Sequence, residues 1–217
     1  MYRIPRIDCN VACPASLEEA FARTVRETVA CNNWPADFPY APQVGFRIFH
    51  TGADLLLRFD IAERCTAART LDDNGPVWTD SCAEFFFRPE GSDSYYNFEC
   101  NCIGTLLVGH RRDRTQAEHA PAEVLRTVRR RATYPHAPLP ETEGDNRWTL
   151  TLAIPAAALF RDRIAGWDGV QGAMNLYKCG DDLSCPHYLS WRPVGTPAPD
   201  FHRPEFFEPG FFEPKKQ

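Results

Sequence analysis

The sequence predicts an all-β, antiparallel sandwich in one domain spanning 1–217, and three observations predict it. Short runs of β-prone residues recur along the chain between clusters of turn formers. Helical periodicity is confined to one stretch near the N-terminus, whereas a parallel α/β fold needs a long crossover helix between its strands. The length of 217 residues, with 43% apolar and 24% charged side chains, suffices for one sizeable core, and no repeat or linker divides it.

In chain order, residues 2–8 read as an edge strand, where Pro5 is tolerated. Ser16-Leu17-Glu18-Glu19 has the form of a capping box, and the apolar spacing after it predicts one helix to about Ala30. Pro35, Pro39 and Pro42 make the next segment an extended loop. Runs 43–49 and 55–61 flank His50-Thr51-Gly52-Ala53-Asp54, a hairpin signal. A polar stretch, 62–77, follows, with its turn at Asp72-Asp73-Asn74-Gly75-Pro76.

The stretch 78–101 is the centre of the prediction. Strand alternation places Glu84 and Phe86 on one face and Phe85 and Phe87 on the other. In the next run Asn97, Glu99 and Asn101 share a face opposite Phe98, Cys100 and Cys102. Glu90 to Ser94 supply the turn, so the expectation is a hairpin with one buried side and one side of carboxylates and amides. Further strands are expected at 104–110, 147–154, 170–179 and 187–191, with a loop at 134–146 and a helical turn at 155–160. Residues 111–131 carry seven arginines and read as a solvated excursion, partly helical from Pro121. The tail from Arg192 to Phe212 is too apolar for disorder and too proline-rich for a central strand. It is expected to wrap across the sheets and end in an edge strand.

A net charge of −5 disfavours nucleic acid as a partner, since phosphate binding needs a basic footprint. No apolar run is long enough to span a membrane, and residues 1–14 lack the apolar core of a secretory signal, which leads to the expectation of a cytoplasmic protein unless a signal was removed. The nine cysteines lack zinc-ribbon spacing and are read as reduced, mostly structural thiols.

Trp78 follows Gly75-Pro76 and precedes a polar triplet, which places it at a loop–strand junction beside a row of hydrogen-bonding groups. A pyranose offers an apolar C–H face and a rim of hydroxyls, so a ring beside carboxylates and amides suits it. The candidate contacts are Trp78 and Phe201 as walls, Glu84 and Glu99 on the hydroxyls, and Asn97, Asn101, His202 and Arg203 as secondary groups. Trp148 and Trp191 alternate with apolar partners and are assigned to the core. Asp72, Asp73 and Asp80 are weak candidates for a hard cation.

Trp78 six residues before Glu84, the continuation Phe85-Phe86-Phe87, and the run Asn97-Phe98-Glu99-Cys100-Asn101 resemble family 9 carbohydrate-binding modules. Ser190-Trp191 and Phe201-His202-Arg203-Pro204 occupy places that match the family's C-terminal pattern. The resemblance implies an immunoglobulin-like, jelly-roll-like sandwich that binds mono- or disaccharide ends of plant polysaccharides such as xylan or cellulose between two aromatic walls. It also implies structural calcium but no required cofactor, and a glycoside hydrolase in trans as a partner. The chain departs from the family where an arginine to the sugar is replaced by Glu99, and where the second wall would be Phe201 rather than tryptophan.

Three other readings compete. A glycoside hydrolase would use Glu84 and Glu99 as its acid and base. A haem-binding sandwich would need axial ligands, and Met1 and Met174 are the only methionines. An interaction domain would use the arginines at 129–131.

Overall fold

The structure is a computed structural model and describes residues 1–216. Two sheets pack face to face. The larger has nine strands and runs Tyr2–Ile4, Glu208–Phe212, Gln171–Cys179, Cys82–Pro89, Tyr95–Asn101, Leu106–Arg111, Ala117–His119. Tyr188–Ser190 pairs with the end of Gln171–Cys179, and Cys31–Asn32 pairs with Tyr188–Ser190. The smaller has five strands in the order Arg129–Ala132, Leu139–Pro155, Asp54–Ala68, Gln43–His50, Glu27–Thr28. Pairing is antiparallel except between Tyr2–Ile4 and Glu208–Phe212. The all-β antiparallel sandwich is therefore the observed fold, and among the described residues no helix is long and apolar enough to cross a membrane.

Alternation along each strand builds the core. Phe85, Phe87, Phe98, Val108 and Leu176 face inward from the large sheet and meet Phe46, Leu57, Phe59, Leu150 and Leu152 from the small one. Trp148 and Trp191 lie in this core, as their alternation predicts. A buried charge crosses it: Lys178 Nζ lies 2.8 Å from Glu63 Oε2, with neither side chain exposed. Trp148 Nε1 donates to Glu63 Oε1 at 2.7 Å, and His187 Nε2 lies 2.8 Å from Lys178 Nζ. Burial opposes the charge on Glu63, but Lys178 overcomes it and holds the carboxyl below its ordinary range. His187 itself is pushed down to about 3 by burial and by Lys178, so its imidazole is neutral.

The other face of the large sheet differs from expectation. The hairpin at 82–101 was expected to have one buried side, yet both sides are buried. The tail is the reason. Val194, Phe201 and Phe207 from 192–212 lie over Phe86, Tyr95 and Tyr177, closing a second apolar layer on the outer face.

Other boundaries shift for local reasons. The helix is Pro14–Ala22, and it ends there because Glu27–Thr28 pairs with Gln43–His50. The expected capping box is not used: Cys13 occupies the N-cap, and Ser16 Oγ accepts from Asn10 N. The strand expected at 55–61 extends over Asp54–Ala68, and the loop expected at 134–146 is half strand, since Leu139–Pro155 pairs with it through two register shifts. Pro140 fits there because Arg129–Ala132 covers only Leu150–Ala153, leaving the start of the strand an edge. Residues 111–131 hold one helical turn, Ala122–Leu125. The C-terminal strand Glu208–Phe212 is not the edge, because Tyr2–Ile4 lies outside it.

Candidate functional site

A cleft of about 300 Å³ opens on the outer face of the large sheet where the tail stops covering it. Its lining includes Trp78, Glu84, Glu99, Arg111, Asp181 and Phe201. Strand register sets its floor: Glu84 stands directly opposite Glu99, so the two carboxyls share one face of adjacent strands.

Trp78 sits in the single turn Val77–Thr79 and is 39% exposed, while its neighbour Val77 is fully buried. The turn is fixed from both sides. Asp80 Oδ1 accepts from Arg69 N at 2.9 Å, and Asp80 Oδ2 accepts from Thr70 N and Asn101 Nδ2, each at 3.0 Å. On the other flank Asp181 N donates to the Trp78 carbonyl and Asp182 N to the Thr79 carbonyl, each at 3.2 Å. Phe201 lines the same cleft but is only 8% exposed, because it stacks on Tyr177 with centroids 4.2 Å apart.

The two glutamates are each 3% exposed, and no ion pair reaches either among the described residues. Burial raises Glu99 to about 7. Burial, and then the charge of Glu99, pushes Glu84 well above the carboxylate range. Glu84 therefore keeps its proton at neutral pH while Glu99 sits near its midpoint, and the two titrate as a coupled pair. Glu99 is oriented by Asn97 Nδ2, which donates to Oε1 at 2.7 Å, and Asn97 Oδ1 accepts from Arg111 Nε at 2.9 Å. The close approach needs Gly109, since a Cβ there would lie 2.6 Å from Asn97 Oδ1. At the rim, burial raises Asp181 to about 6, and burial lowers His202 to about 3, with Arg111 and Arg114 adding to it. His202 Nδ1 lies 3.0 Å from the Tyr95 hydroxyl.

Of the sequence candidates, Trp78, Glu84, Glu99, Phe201 and His202 line the cleft. Asn97 stands behind Glu99 and is fully buried. Asn101 holds the Trp78 turn through Asp80 and the Thr70 carbonyl. Arg203 lies outside the lining, beside Glu205 and Asp200. Sequence reasoning missed Arg111, Arg114, Asp181, Tyr188 and Asp200. Arg111 alone had a readable signal: it follows Leu107 by four strand positions, and Leu107 is the partner of Glu99.

The acidic residues considered for a cation do not converge. Asp73 pairs with Arg130 at 2.7 Å and accepts from Leu106 N, Asp80 is taken by backbone amides and Asn101, and Asp72 faces solvent. The one group of metal-capable side chains among the described residues is Cys82, Glu84 and Cys179, whose ligand atoms lie within 4.8 Å of one another at the cleft floor.

A two-sheet sandwich with a ring-walled, acid-floored cleft on one outer face defines a small-ligand binding module. The model of carbohydrate-binding family 9 matches residues 13–211. The chain belongs to that family and is a carbohydrate-binding module. A protein from Bacteroides uniformis, described as a candidate carbohydrate-binding protein, is similar at 39% identity and a TM-score of 0.91, over 97% of this chain and 98% of that one. A family 9 module from Caldicellulosiruptor kristjanssonii in complex with glucose is similar in fold at 8% identity and a TM-score of 0.60, over 99% and 96% of the two chains. The same organism's module in complex with cellotriose gives 7% and 0.59, over 100% and 95%. A comparison with curated proteins returned no match.

Proposed function

We propose that the cleft takes the terminal one or two sugars of a neutral plant polysaccharide such as cellulose or xylan. Trp78 stacks on a pyranose face, Phe201 adds a second ring to the lining, and Glu84, Glu99, Asp181 and Arg111 meet the hydroxyls. The observation that carries this reading is an indole left 39% exposed at the mouth of a cleft floored by two buried carboxyls. What marks this ring is its setting, an apolar plate at the mouth of a concave lining with hydrogen-bonding groups beside it, which matches the apolar face and hydroxyl rim of a pyranose. With Glu84 and Glu99 held towards their neutral forms, Asp181 and Asp200 against Arg111 and Arg114 leave the lining close to charge balance, which suits a neutral sugar. The family 9 complexes with glucose and with cellotriose from Caldicellulosiruptor kristjanssonii favour a β-glucan end.

The magnitudes suit weak, reversible binding. Burying about 150 Å² of apolar surface gives roughly 4 kcal/mol at the usual coefficient, and association costs leave affinities from about micromolar to millimolar. A hydrolase acting in trans is the partner this affinity would serve.

The hydrolase reading of Glu84 and Glu99 is less well supported. The family 9 match and the sugar-bound modules of similar fold favour binding over turnover. Cellotriose is the direct test. Saturation-transfer NMR should detect its binding while reducing-sugar release stays at the blank. Sugar release that disappears in Glu84→Gln would reverse the assignment.

A further inference from the structure

Two cysteines unconnected with the cleft floor lie where they bear on its indole wall. Cys65 stands on the strand Asp54–Ala68, and Cys185 lies in the loop that follows Gln171–Cys179, 120 positions along the chain. Their sulfurs are 2.9 Å apart, against about 2.0 Å in a disulfide. Both are buried, within a cluster of Cys65, Ala67, Leu183, Cys185 and the ring of Tyr40. Arg64 Nε donates to Cys185 Sγ at 3.0 Å, and its Nη2 reaches the same sulfur. The same loop holds Trp78: the amides of Asp181 and Asp182 donate to the carbonyls of Trp78 and Thr79. Its far end is tied by Ser184 N, which donates to Glu141 Oε1 at 2.8 Å, and by His187 Nδ1, 2.9 Å from the Cys185 carbonyl.

We propose that Cys65 and Cys185 are a disulfide-forming pair whose oxidation fastens the 180–187 loop to the small sheet and thereby fixes the Trp78 turn. The oxidant is a low-molecular-weight disulfide such as oxidised glutathione. The thiolate of Cys185 attacks one of its sulfurs, forming a mixed disulfide and releasing one thiol. Cys65, deprotonated, then attacks the Cys185 sulfur, closing the Cys65–Cys185 bond and releasing the second thiol. Arg64 is placed to hold the negative charge on Cys185 as that sulfur enters the exchange. Among the other cysteines, Cys82 and Cys179 also stand directly opposite each other, but on adjacent strands of one sheet, where a bond would fasten nothing that the ladder does not already hold.

The test uses the wild-type chain, incubated either with oxidised glutathione or with a dithiol reductant, then alkylated, digested and mapped by mass spectrometry. In the oxidised sample the peptides carrying Cys65 and Cys185 should be joined with a loss of about 2 Da, the two hydrogens given up in exchange. Fragmentation should place the bond at Cys185 rather than Cys179. Recovery of alkylated Cys65 and Cys185 after oxidation, or a bond between Cys82 and Cys179 in their place, would overturn the proposal. The link to the cleft rests on the saccharide reading, so glucose is titrated into both forms. Binding roughly threefold tighter in the oxidised form is expected, from a loop ordered in advance, with no redox dependence in Cys185→Ser. A mapped bond with equal affinities would refute the coupling to Trp78. Absence of glucose binding in either form would count against the saccharide reading, and the linkage map would then decide the cysteine pair by itself.

Discussion

Buried acids lie against both faces of the large sheet, Glu63 reaching the inner face from the small sheet and Glu84 and Glu99 standing on the outer face, and the two are treated in opposite ways. On the inner face Glu63 is fully buried but ionised, because Lys178 lies 2.8 Å away and Trp148 and Thr66 donate to its other oxygen. On the outer face Glu84 and Glu99 have no cation in contact, and burial pushes both towards their protonated forms. Their nearest guanidinium, that of Arg111, is spent on Asn97. The inner acid is satisfied and serves cohesion. The outer pair spends only part of its capacity within the fold, since Cys179 Sγ donates to Glu84 Oε1 and Asn97 Nδ2 to Glu99 Oε1 while Oε2 of each takes no donor among the described residues, and that remainder is what a ligand can use.

The largest effect should come from breaking the inner pair. Lys178→Met leaves Glu63 buried without its cation and should cost about 3–5 kcal/mol in urea unfolding, while neutralising one outer acid should not destabilise the fold. If Lys178→Met were nearly silent, the inner network would not be the structural one.

The next largest effect is a pH dependence, and the two faces give it opposite signs. Glu99 binds a proton up to about pH 7 in the folded chain but only to about 4.5 when unfolded. Between those values the native state holds more protons, so stability falls as pH rises and the penalty is complete above about 7. The interval, at about 1.36 kcal/mol per pH unit, sets about 3 kcal/mol. Glu99→Gln should remove this slope. Glu63, held below its ordinary range, contributes stability that is present above about 4.5 and lost as pH falls below it. Unfolding free energies of wild type and Glu99→Gln from about pH 2 to 8 cover both windows, and parallel curves above about pH 4.5 would show that the outer acid is not perturbed.

A smaller effect is expected from Gly109→Ala. The added methyl displaces Asn97, which should loosen Glu99 and weaken saccharide binding by about fivefold, with about 1 kcal/mol lost from stability. Calorimetry and urea unfolding together separate the two losses.

Much of this contrast was legible in the sequence. Period-two alternation alone placed Glu84 and Glu99 on one face and Phe85, Phe87 and Phe98 on the other, and the turn chemistry around Gly75-Pro76 set Trp78 at a junction. What alternation does not report is coverage. The outer face looked half-polar, yet the tail buries it, and only the tertiary path of Phe201 and Phe207 reveals that. Arg111 was hidden within a run of arginines that reads as solvated surface, although its register opposite Tyr95 aims it at the cleft. Asp181 and Asp200 come from loops more than 80 residues away from Glu99, which local spacing does not register. Glu63, in a stretch that reads as polar loop, became a core residue because its strand runs on to Ala68.

The central claim is that the partly exposed indole of Trp78 is the platform for a sugar ring. Calorimetric titration of glucose into wild type and into Trp78→Ala tests it most directly. The account predicts an affinity between about micromolar and millimolar in the wild type and a loss of at least about tenfold in the variant. Equal affinities in the two proteins, with both folded, would contradict it.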